Sequence, residues 1–131
     1  MEKNIMPSIP ISVGELVDKI TILKIKSKNI SDVHKLNNIK VELKALEIKF
    51  KYLQIASPID SEISNLEKIN NELWVIEDEI REKEKNKEFD NTFIKLARSV
   101  YKVNDERANL KKIINQKTGS LFSSTWPSLP S

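Results

Sequence analysis

The sequence predicts an all-α fold: an antiparallel bundle of four helices, built as two long hairpins, with extended N- and C-terminal tails. Apolar residues recur every three or four positions through four successive stretches, which is the period of helices with one buried face. Only 2 Gly in 131 residues leave little for the tight turns of a β-protein. Helix-starting and helix-stopping chemistry falls at the ends of those stretches. A chain of this length fits one domain, with a lead-in over residues 1–11, a bundle over 12–119 and a tail over 120–131.

Pro7 and Pro10 disfavour helix in the lead-in. Ser12 and Glu15 then form an S-x-x-E capping box, in which Ser12 accepts from an exposed amide while Glu15 reaches back to the Ser12 amide. The stripe Val13, Leu16, Val17, Ile20 and Leu23 follows, with Ile22 and Ile25 beside it, so the first helix is apolar over a wide arc and should be central. Ser31 or Asp32 caps the second helix. Its seam of Leu36, Ile39, Leu43, Leu46, Phe50 and Leu53 has coiled-coil spacing, predicting a rod to Ile55 of roughly 35 Å. Ser57 and Pro58 end it. The third helix spans Ile59 to about Lys85, with Ile59, Ile63, Leu66, Leu73 and Ile80 inward and Asn70 and Glu77 as polar entries on the same seam. Arg81 to Glu88 reads as a solvated helix end. Phe89 and Ile94 should form a hydrophobic staple about an Asp90 cap. The fourth helix directs Phe93, Ala97, Val100, Tyr101, Asn104, Ala108, Lys111 and Ile114 inward, and Gly119 stops it. Leu121, Phe122 and Trp126 in the tail should pack back on the bundle or dock a partner.

Composition narrows the chemistry. A net charge of +3 spread along helices, with a pI near 9.0, gives little support for a nucleic-acid partner. The absence of Cys removes disulfides and thiol catalysis, and a single His leaves zinc only an unusual, carboxylate-rich ligand set. His34, beside Lys35, reads as a surface residue. No apolar run approaches the roughly 20 residues of a membrane span, and the N-terminus lacks a signal-peptide core, so the expected location is cytoplasmic with no membrane partner.

One constellation could carry chemistry. If the third and fourth helices turn back near Glu88, residues whose numbers sum to about 176 lie level. Glu77 then meets Arg98 and Tyr101, while Trp74 and Asn70 approach Asn104 and Asp105. The first helix brings Asp18 and Lys19 to the same layer. Together with Asp78 and Arg81 these residues form a candidate polar layer. Such a layer can equally be a structural register device, as seam Asn residues and Glu–Arg pairs often are. Trp74 and Tyr101 are by the same reasoning ordinary core anchors with a polar tip.

Glu79 and Glu82, with Asp105 and Glu106, loosely resemble the acidic helices of all-α nucleotide pyrophosphatases, which hold magnesium against a triphosphate. The second acidic motif lacks its usual spacing. A chorismate-mutase-like enzyme would need an Arg on the first helix to grip a dicarboxylate, and there is none. No cofactor or metal site is therefore assigned.

Three blocks, Ile11–Ile25, Glu72–Arg81 and Leu96–Asn115, closely resemble a family of small bacterial and viral helical proteins, a domain of unknown function. The resemblance brings no activity. It picks out Gly14, Glu15, Asp18, Lys19, Thr21, Asn71, Glu72, Trp74, Glu77, Asp78, Arg81, Arg98, Tyr101, Asn104, Asp105 and Arg107, and it implies an acidic residue where this chain has Lys24. The expected function is a binding or assembly module acting through helical faces and the polar layer, by self-association, a protein partner or a small-molecule ligand. The alternative is a small enzyme whose Mg-dependent or phosphorylated-substrate site lies among the first, third and fourth helices.

Overall fold

The computed structural model describes Ile5 and residues 7–120. They form four helices: α1 (Val13–Asn29), α2 (Val33–Lys51), α3 (Asp60–Lys85) and α4 (Asn91–Thr118). No strand occurs among the described residues. The expected bundle of two hairpins, α1–α2 and α3–α4, is therefore what forms. The expectation that Leu121, Phe122 and Trp126 pack on the bundle falls outside the described residues.

Local chemistry sets the helix ends. Ser12 Oγ accepts from Glu15 N at 3.1 Å, Asp32 Oδ1 from Lys35 N at 3.0 Å and Asp90 Oδ1 from Phe93 N at 2.9 Å. Each occupies an amide that the helix itself leaves without an acceptor. Only half of the capping box forms, because the Glu15 carboxylate turns to Lys111 Nζ, 2.8 Å away on α4. The charged donor is the stronger partner. Phe89 packs edge-on against Phe93, with ring centroids 5.3 Å apart, while Ile94 stays exposed; the staple therefore closes one residue earlier than expected. Gly119 ends α4 at φ 73°, and Lys87 takes the corresponding left-handed position after α3 at φ 54°.

α1 is central, packing against α2, α3 and α4, whereas α2 packs chiefly on α1, with Phe50 near its end reaching the edge of the core. The reason lies in α1's width: Leu16, Val17, Ile20, Leu23 and Ile25 are all buried, too broad an arc for one neighbour to cover. The helices enclose two apolar clusters, one shared by α1, α3 and α4 and one between α3 and α4. Val17, Ile59, Leu66 and Ile114 form one, and Leu73, Ile76 and Val103 form the other. α2 has no buried residue. Its seam from Leu36 to Phe50 is half-buried on α1, and the helix stops at Lys51, short of Leu53 and Ile55, so the rod is about 28 Å long.

The α3–α4 register is close to the expected one, since Leu73 and Val103 share a cluster. The face of α4 is only partly the expected one. Phe93, Val100, Asn104, Lys111 and Ile114 turn inward as expected, but Leu96, Val103, Arg107 and Leu110 share that face, while Ala97, Tyr101 and Ala108 are exposed. The inward stripe is therefore centred to one side of the expected one.

Candidate functional site

Asn70 lies one turn from Leu66 and one from Leu73, so the polar side chains level with it separate the two apolar clusters. Asp18 of α1 is the hub, with its side chain only 1% exposed. Arg107 of α4 donates Nε to Asp18 Oδ1 at 2.9 Å and Nη2 to Asp18 Oδ2, so the guanidinium grips the carboxylate with both prongs. From α3, Asn70 Nδ2 donates to Asp18 Oδ1 at 2.9 Å and to Thr21 Oγ1 at 2.8 Å. Thr21 in turn donates to the Asp18 carbonyl at 2.8 Å. Lys111 Nζ stands 3.7 Å from Asp18 Oδ2 while bonded to Glu15. Three helices thus converge on one carboxylate.

Burial works to raise the Asp18 pKa. The hydrogen bonds from Arg107 and Asn70, with the charges of Arg107 and Lys111, outweigh it and hold the carboxyl below its ordinary range. Arg107 is shifted upward, first by its hydrogen bond to Asp18 and also by the fields of Glu15 and Glu77. Both groups are ionised at neutral pH. Among the described residues no buried side-chain nitrogen or oxygen lacks a partner, so this inner layer is fully paired.

Close approach of α1 and α4 makes the layer possible. Gly14 N donates to Asn115 Oδ1 at 2.7 Å, and a Cβ at Gly14 would lie 2.5 Å from the Lys111 carbonyl oxygen. Only glycine fits there.

Above the layer opens a cleft of about 300 Å³ walled by α1 and α3, with Arg107 reaching in from α4. Lys26, Trp74, Glu77 and Arg81 line it, with Asn70 beside Arg107, and Ile22, Ile25 and Leu73 supply apolar surface. Arg81 sits 3.9 Å from Glu77 and 3.5 Å from Asp78 on its own helix. Arg107 Nη1 has only a 3.5 Å contact to Asn104 Oδ1, so that part of the guanidinium is weakly engaged.

The structure divides the predicted residues. Asp18 is in the buried layer; Trp74, Glu77 and Arg81 line the cleft; Asn104 touches Arg107; Asp78 stands behind Arg81. Lys19, Arg98, Tyr101 and Asp105 are exposed and do not line it. Glu77 pairs with Arg81 and not with Arg98, which lies on the exposed side of α4. Arg107 was missing from the predicted layer, although the family resemblance included it. Its signal was the seven-residue step from Val100 to Ile114, which passes through position 107.

Residues 7–125 match the family of unknown function DUF6165. The chain belongs to that family. No curated protein and no solved structure matches it. For this DUF6165 chain, the acidic groups considered for magnesium do not gather: no group of three or more His, Cys, Asp or Glu side chains among the described residues is placed to hold a metal ion. No helix among them is long and apolar enough to cross a membrane.

Proposed function

We propose that this chain is a binding module whose recognition site is the cleft over the Asp18–Arg107 pair. The observation that carries this reading is the division of labour in one guanidinium. Arg107 spends Nε and Nη2 on a buried carboxylate and lines an open cleft with the rest, so its head is fixed before any ligand arrives. Preorganisation of this kind lowers the entropy cost of binding. A fully paired layer beneath and a half-buried Trp74 beside it make a rigid floor and an aromatic wall, the usual setting of a small-molecule site.

The test is a fragment screen by chemical-shift mapping, using anionic, cationic and neutral compounds. We expect saturable shifts confined to Lys26, Trp74, Glu77, Arg81 and Arg107. Hits that map elsewhere, or a silent screen, would overturn the reading.

A second observation favours assembly. Val33, Val41 and Ile48 are exposed on α2 and Tyr52 at its C-cap, and the helix buries no residue of its own. A second copy of the chain covering this face would supply the missing burial.

A further inference from the structure

Resting on the reading of the cleft as a binding site, we infer that its ligand is an amphipathic monocarboxylate: a carboxylate held by Arg107 and Arg81, with an apolar body of about one ring against Trp74 and Leu73. Three features of the cleft point the same way.

Donor geometry comes first. A guanidinium carries five N–H bonds. Those at Nε and one at Nη2 are committed to Asp18, and the 3.5 Å contact to Asn104 scarcely engages Nη1. The remaining donors form a planar edge, which matches the two oxygens of a carboxylate or phosphate.

Charge then separates those two anions. The cleft lining holds Lys26, Arg81 and Arg107 against Glu77, with Asp18 beneath Arg107 and Asp78 beside Arg81. Three cations thus stand against three carboxylates. A carboxylate ligand adds one negative charge to this balance. A phosphate monoester, close to a dianion at neutral pH, would add nearly two beside Glu77. An ammonium group offers no acceptor to the free edge of Arg107.

Size and polarity complete the case. At about 300 Å³ the cleft is at the small end for ligand sites. Ile22, Ile25, Leu73 and Trp74 give it an apolar side that a bare inorganic anion would leave uncovered.

Four probes with one common body test the inference: 3-phenylpropionate, 3-phenylpropanamide, 3-phenylpropylamine and 2-phenylethyl phosphate. Each is titrated into the full chain while the Arg107 Nε–H and Trp74 Nε1–H resonances are followed. We expect the carboxylate to bind tightest, with the amide weaker by at least about tenfold, and binding to weaken as salt is raised. Arg81→Ala removes an exposed side chain that the fold does not need. It should weaken the carboxylate several-fold and leave the amide unchanged. If the amide, the amine or the phosphate binds as tightly as the carboxylate, the ligand class is wrong although the cleft is still a site. If no probe moves the two resonances, the inference is overturned, and the broader screen decides separately whether the cleft binds anything. If Arg81→Ala weakens all probes alike, the variant has disturbed the cleft's shape; Lys26→Ala, a change on the other wall, must then reproduce the carboxylate-selective loss or the inference falls.

Discussion

Asp18 and Arg107 form a pair that is strong because each has been given no alternative. A carboxylate 1% exposed cannot recruit water, so its stability depends on the donors around it. Removing the guanidinium leaves Asn70 at 2.9 Å and Lys111 at 3.7 Å, too little for a buried charge. Arg107→Ala should therefore cost about 3–5 kcal/mol, read as a fall in the urea midpoint at constant slope. Asp18→Asn combined with Arg107→Leu should recover a large part of that loss, since no charge is then stranded. The pair also fixes a direction in pH. Because the folded-state pKa of Asp18 lies below its unfolded value, its contribution is complete above the ordinary aspartate range and disappears as pH falls through the folded value. In Asp18→Asn the acid-induced loss of stability should be smaller, although Glu62 and Asp90, also held low by their partners, retain their own share. An identical acid profile in the variant would show that Asp18 is not ionised in the native protein. Asp18, Trp74 and Glu77 were legible in the sequence because α1 and α3 show their apolar faces plainly. Arg107 was not: α4 offers two overlapping stripes, and Tyr101 and Ala97 are apolar enough to make the wrong one look continuous.

Helix ends in this protein are local statements, and the sequence carries them openly in Ser12, Asp32, Asp90 and Gly119. Interhelical distance is different, because it depends on what the opposing helix places at the contact. Gly14 shows the conflict. Within an isolated helix, alanine would be favoured over glycine by about 1 kcal/mol. In the bundle, its Cβ would stand 2.5 Å from the Lys111 carbonyl oxygen and 3.1 Å from the carbonyl carbon. These are backbone atoms of α4 and cannot swing aside as a side chain would. Separating the helices to make room would stretch the 2.7 Å bond from Gly14 N to Asn115 Oδ1 and the Lys111–Glu15 pair. The clash outweighs the propensity, and Gly14→Ala should destabilise by about 1–3 kcal/mol net, measured by thermal or urea unfolding. A variant as stable as the parent would mean that α1 and α4 can slide apart without loss. The end of α2 marks the opposite limit of sequence reading. Leu53 continues the heptad spacing and Pro58 is the next stop signal, yet the helix ends at Lys51 and Ile55 beyond it packs against the core outside any helix. Periodicity names a face; it does not supply the neighbour.

At the scale of the whole molecule the bundle is unequal. α3 and α4 share both apolar clusters, and α1 joins them in the first cluster and the polar layer, whereas α2 leans on α1 through half-buried side chains and buries none completely. Local stability follows buried apolar contact, so α2 should open with a free energy well below that of the other three helices. Native-state hydrogen exchange at low protein concentration measures this directly. Amides of α2 should exchange fastest among the helices, and protection there equal to that of α3 would show that the α1–α2 seam is worth more than its burial suggests. The same measurement tests assembly. If a second copy covers Val33, Val41, Ile48 and Tyr52, raising the protein concentration must slow exchange in α2 selectively, because association stabilises the form that binds. Charge adds a second handle. α2 carries five Lys against two Glu, so bringing two copies together along it meets a repulsion between exposed charges that salt screens. Concentration-dependent protection should therefore be stronger at about 0.5 M than at about 0.05 M salt, the reverse of the salt response expected for an anion in the cleft. Exchange in α2 that ignores both concentration and salt would leave the cleft reading untouched and remove α2 as an assembly face.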